Sequence, residues 1–71
     1  MQYLVVVEKG PTSFGAYVPD LPGCVAAADT RREALTLIRE AIELHIEGLK
    51  TSGQSVPRPS SSSEVVDVQL V

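Results

Sequence analysis

The chain has 71 residues, a formal net charge of −3 and 44% hydrophobic residues, and its only aromatics are Tyr3, Phe14 and Tyr17. That length supports one domain with a thin, aliphatic core. A single cysteine, Cys24, and a single histidine, His45, exclude an internal disulfide and a Cys/His zinc site, which leaves self-association, as a dimer or tetramer, to bury further apolar surface. The acidic balance weighs against direct nucleic-acid binding and suits a basic protein partner. No stretch reaches the roughly 18–20 apolar residues of a membrane helix, and no leader-like segment opens the chain. A cytoplasmic protein without a cofactor is therefore expected.

Residues 2–8, QYLVVVE, are β-prone and apolar at nearly every position. Such a run predicts a central strand covered on both faces. Lys9–Ser13 contains a Gly-Pro turn, and Phe14–Val18 is the expected return strand of a hairpin. Pro19 and Pro22 cannot donate ladder hydrogen bonds, so the sheet should pause between them. Asp20 and Leu21 lie in that stiff interval. The aspartate suits a turn cap, but also a contact with a basic partner. The leucine, held between prolines in a loop, is expected at the surface as an apolar anchor. Gly23–Ala28 follows as a short strand of small residues.

Thr30-x-x-Glu33 has the spacing of a capping box, in which hydroxyl and carboxylate each reach a backbone amide of the other residue. Apolar or uncharged residues then recur at 34, 35, 38, 41, 42, 45, 46 and 49, predicting a helix to Lys50 with Gly53 as terminator. Thr36, Arg39, Glu40, Glu43 and Glu47 share a polar arc. Leu37 and Leu44 fall outside the main apolar stripe, one heptad apart, and are expected to form an oligomer interface. Glu43 and Glu47 repel each other at i,i+4, and a basic partner would relieve that repulsion. Thr51–Ser63 is a polar Pro/Ser linker. Residues 64–71 alternate Val66, Val68 and Leu70 with Asp67 and Gln69, predicting a half-buried last strand. The expected architecture is one α+β domain over 1–71, ordered β-β-β-α-β, with a right-handed crossover into the final strand.

Tyr17-x-Pro19-Asp20-Leu21-Pro22-Gly23-Cys24, followed by small residues, Asp29-Thr30-x-x-Glu33-Ala34 and Ile38-x-Glu40-Ala41-Ile42-Glu43-Leu44, resembles the HicB family of bacterial antitoxins. The resemblance covers residues 1 to about 50 well and the last strand loosely. It implies a truncated ribonuclease-H-like sheet with one helix on one face. It also implies a partner, a small basic HicA-type ribonuclease, which the chain would neutralise by direct contact. Asp20, Leu21, Glu43 and Glu47 are the residues expected to meet that partner. Only eight residues follow the serine run, too few for the DNA-binding module that many family members carry, so promoter binding is not expected. The alternatives are an oligomeric HicB-fold protein with no toxin, or a metal-dependent nuclease.

The nuclease alternative needs several carboxylates converging on two divalent ions. Glu8, Glu40 or Glu43, and Asp67 are the available acids, and the helix acids belong to the solvent arc. Cys24 and His45 could in principle be nucleophile and base. A buried thiol among small residues and a histidine on an apolar stripe are better explained by packing. No enzymatic activity and no metal site are expected.

Overall fold

In the computed structural model, which describes residues 1–70, three strands precede one helix: β1 (Val6–Lys9), β2 (Phe14–Tyr17), β3 (Val25–Ala28) and α1 (Arg31–Thr51). The strands form an antiparallel sheet in the order β1-β2-β3. The Gly10–Ser13 turn is closed by the Gly10 N–H donating to the Ser13 carbonyl at 2.7 Å. Register aligns Val7, Ala16 and Ala26 in one row and Lys9, Phe14 and Ala28 in another. These rows face the helix. The row of Glu8, Gly15 and Ala27 between them, and the row of Val6, Tyr17 and Val25 beyond Val7, lie on the opposite face, where Val25 is largely exposed.

The helix begins as its sequence requires. Thr30 is extended and its hydroxyl accepts from the Glu33 N–H at 3.1 Å, the hydroxyl half of the capping box. At the other end Gly53, at φ +74°, turns the chain out of the helix. Its N–H donates to the Lys50 carbonyl at 3.1 Å, and the Gln54 N–H to the Leu49 carbonyl at 2.8 Å. Those two bonds make a Schellman ending. α1 lies chiefly over β3 and β2 and less over β1.

Small residues on β2 and β3 let the helix approach. Ala16, Val18, Leu21, Cys24, Ala34 and Ile38 form the buried core, with Phe14, Val5, Val7, Ala41 and Ile42 packed around it. Leu21 and Ile38 are its largest fully buried side chains, each contributing about 1.5–3 kcal/mol of burial.

Two expectations about the sheet are corrected. β1 is an edge strand, not a central one, and of the predicted 2–8 run only Val6–Glu8 is paired, the strand continuing to Lys9. The reason lies in β2: it ends at Tyr17, ahead of Pro19, so Met1–Val5 have no ladder to join. The predicted final strand does not form either. Residues 64–70 carry no strand and are exposed, and Val71 lies outside the described residues. Alternation supplied the pattern, but among the described residues no sheet edge is brought alongside it. The order is β-β-β-α over these residues.

Candidate functional site

The loop between β2 and β3 is a closed structure. The Val18 N–H donates to the Cys24 carbonyl at 3.2 Å, Leu21 N–H to Val18 at 3.1 Å, and Cys24 N–H to Leu21 at 3.0 Å. Gly23 sits at φ +83°, a conformation glycine adopts without the Cβ penalty. This winding turns Leu21 inward. The expected surface anchor is instead fully buried, at 0% exposure, against the Val18–Cys24–Ala34–Ile38 core. The flanking prolines stiffen a plug, not a docking finger, because the small side chains of the sheet leave space in the core that the loop leucine fills.

Asp20 points the other way. Its Oδ2 accepts from the N–H groups of Ser60 at 2.8 Å and Ser61 at 2.9 Å. Its Oδ1 accepts from the hydroxyls of Ser61 at 2.8 Å and Ser60 at 3.1 Å. Four donors on one carboxylate favour its charged form. The backbone N–H of Ser61, then that of Ser60, then the Ser61 hydroxyl bring its pKa down to about 2. A second clasp joins the Tyr3 hydroxyl, as donor, to the Pro57 carbonyl. The segment predicted to be a free linker is thus a strap, held at Tyr3, ahead of β1, and at Asp20, in the loop between β2 and β3. Sequence reasoning missed both clasps. Nothing in a Pro/Ser run names its partner, though an aspartate with spare acceptors facing a serine run was a usable hint.

On α1 the exposed side is mixed. At about 100° per residue, Leu37 and Leu44 lie within roughly 20° of each other, with Glu40 and Glu47 close beside them. Leu44 is 70% exposed and Leu37 42%. Glu43 sits further round, on the wall of a groove between α1 and Met1–Val5. The expected site residues therefore divide into a helix surface of Leu37, Glu43, Leu44 and Glu47, and a loop where Asp20 and Leu21 serve strap and core. Glu40, which the sequence places on the polar arc but not among the partner contacts, belongs with the helix surface.

The residues of the chemical alternatives are spread over the chain, with Glu8 on β1, Glu40, Glu43 and His45 on α1, Cys24 just ahead of β3 and Asp67 past the strap. Among the described residues no three His, Cys, Asp or Glu side chains gather where a metal ion could be held; Glu8 and Asp67 are exposed on separate elements. Cys24 is buried, and burial raises its thiol pKa, which disfavours the nucleophilic thiolate. No helix among the described residues is long and apolar enough to cross a membrane.

Comparison with known proteins fits this arrangement. Residues 3–69 match the family described as HicB_like antitoxin of bacterial toxin-antitoxin system. The chain belongs to that family. A UPF0150 protein of Thermoplasma acidophilum is 37% identical over 67 residues, covering 93% of this chain and 97% of that protein. An uncharacterised 14.9 kDa protein from the rep-hol intergenic region of Haemophilus phage HP1 is 34% identical, over 94% of this chain and 50% of its own length. Antitoxin HicB 2 of Photorhabdus laumondii is 30% identical, over 90% of this chain and 46% of its own length. The chain thus spans about half the length of the last two. A chain of the solved HicA3 and HicB3 toxin-antitoxin complex superposes with a TM-score of 0.72 at 32% identity, covering 84% of this chain and 70% of that one. The resemblance seen in the Pro19–Cys24 loop and the capped helix is thereby established at the level of family and α+β fold. The ribonuclease-H-like strand order is not, since its return strand is absent from residues 64–70.

Proposed function

We propose that this HicB-like domain neutralises a small, basic HicA-type toxin in the cytoplasm by protein–protein contact, without catalysis and without binding nucleic acid itself. The observation that carries the reading is the 32%-identical match, at a TM-score of 0.72, to a chain from a HicA3–HicB3 complex. The net charge of −3 suits a basic partner.

The exposed side of α1 is the surface we assign to the toxin. Leu37 and Leu44 were expected to pair two copies of this chain. A parallel two-fold pairing centred on them would set Glu40 and Glu47 of one copy against the same acids of the other. Like charges facing each other oppose such pairing, whereas lysines or arginines on a toxin would be attracted. Leu44 then supplies apolar contact, and Glu40, Glu43 and Glu47 supply the charge. Asp20 contributes indirectly, by ordering the strap.

The reading predicts a small basic protein encoded beside this gene, and co-expression with that protein tests it. Growth arrest caused by that protein should be relieved by the wild-type chain and not by the Leu44→Glu/Glu47→Lys variant, whose affinity should fall at least about tenfold, the equivalent of 1.4 kcal/mol. Full neutralisation by that folded variant would remove α1 from the interface. Absence of any neutralised toxin would favour a HicB-fold protein acting without one.

A further inference from the structure

Three features meet at one side of the sheet, and they share only Glu43, on the groove wall, with the surface assigned to the toxin. The outer edge of β1 has no strand beside it among the described residues, leaving a row of backbone donors and acceptors open to pairing. Beyond that edge α1 overhangs a groove of about 1030 Å³, whose apolar lining includes Leu4, Val5, Leu35, Ile38 and Ile42. Residues 64–70 carry Val66, Val68 and Leu70 on one side of an extended segment and Asp67 and Gln69 on the other, and all are exposed. A strand-like segment lacks a sheet, and a sheet edge lacks a strand.

We propose that the groove receives residues 64–70 of a second copy of this chain, added as a strand along the outer edge of β1, with two copies exchanging these segments about a two-fold axis. Period-two alternation would put Val66, Val68 and Leu70 against Leu4, Val5 and Ile42 while Asp67 and Gln69 stay in water. The path of the strap selects a second copy over the chain's own edge. Ser61–Ser63 form part of the groove's rim, and the clasp at Asp20 fixes the chain just before them. To enter its own groove, the segment would have to fold back over that rim. Residues 64–70 are instead exposed throughout, in a molecule elongated to 52 × 27 × 16 Å. Reciprocal exchange fills both grooves and leaves no open end, as a closed dimer requires. It also relieves the edge exposure of β1 in both copies.

The inference needs only this chain, so its test uses no toxin and its failure leaves the toxin reading standing. Light scattering at micromolar concentration should give twice the 7.6 kDa chain mass. The Val66→Asp/Val68→Asp variant should run as a monomer with an unchanged circular dichroism spectrum, its dimer weakened roughly a hundredfold or more by charges where apolar burial is needed. Leu44→Glu, on the other side of α1, should remain dimeric. In a mixture of isotope-labelled and unlabelled chains, filtered NOE spectra should connect Val66 or Val68 methyls of one copy with Leu4 or Ile42 methyls of the other. A monomeric wild type, a Val66→Asp/Val68→Asp variant that stays dimeric, or tail contacts found only within one chain would each overturn the proposal.

Discussion

Leu21→Ala separates a core plug from a surface loop, because the two roles predict effects of different size. The side chain is wholly buried between the sheet and α1, and its loop is closed by three backbone hydrogen bonds that leave little freedom to collapse into a cavity. Truncating a buried leucine costs about 2–5 kcal/mol, more where the site cannot relax, so a loss of about 3 kcal/mol is expected. A chain of this size has roughly 4–11 kcal/mol of stability in total, so the variant loses a large share of it. At roughly 4–8 °C per kcal/mol for a domain this small, the melting temperature should drop by roughly 10–25 °C. Urea unfolding followed by circular dichroism, at one fixed protein concentration because self-association adds to apparent stability, gives the number directly. Leu21→Met should cost less than about 1.5 kcal/mol, and the exposed Leu44→Ala should stay within about 0.5 kcal/mol of wild type. A Leu21→Ala loss as small as that of Leu44→Ala would refute the reasoning and return Leu21 to the surface.

Further outcomes follow from the caps, clasps and buried thiol. Asp20→Asn keeps one carbonyl acceptor where four donors converge, and should speed amide exchange at Ser60 and Ser61 while leaving α1 unchanged. Since the folded-state pKa of Asp20 is lowered from 3.8 to about 2, the clasp's contribution is complete above the unfolded value and is lost as pH falls through about 2; a titration of the Ser60 and Ser61 amide shifts should show release there, and a midpoint near 4 would contradict it. Gly23→Ala, at φ +83°, should destabilise by about 1–2 kcal/mol in urea melts despite having open space for the methyl. Cys24 should react with a thiol reagent far more slowly in the native protein than after unfolding, as its burial requires.

How much of the fold is legible in the sequence depends on how local the physics is. Helix α1 was visible from Thr30 to its glycine terminator because capping, period and Schellman closure all act within a few residues. The β2 and β3 strands were visible because turns bracket them. The position of β1 in the sheet was not, since an apolar run looks the same whether its second face is covered by a strand or left at an edge. Leu21 was misplaced for a related reason: a proline-flanked leucine advertises rigidity but not direction, and its direction is set by a bond pattern closing from Val18 to Cys24. The tail failed most instructively. Alternation over 64–70 states a preference for a sheet, but it does not specify a sheet edge, and no strand forms there.

The two clasps of the strap also bear on the order in which the molecule comes together. They join residues 54, 40 and 41 positions apart in sequence, whereas the hairpins and helix close over short loops. Long loops cost more entropy to close and reward that cost late. The hairpin, the Leu21 plug and α1 can therefore assemble first, with the strap laid down last over a formed surface. Because its bonds are exposed, the same strap should be the first part to detach, well below the free energy of global unfolding. Its Pro57–Ser63 stretch then becomes the entry point for a protease, which meets a loosened end while the core around Leu21 and Ile38 is still intact.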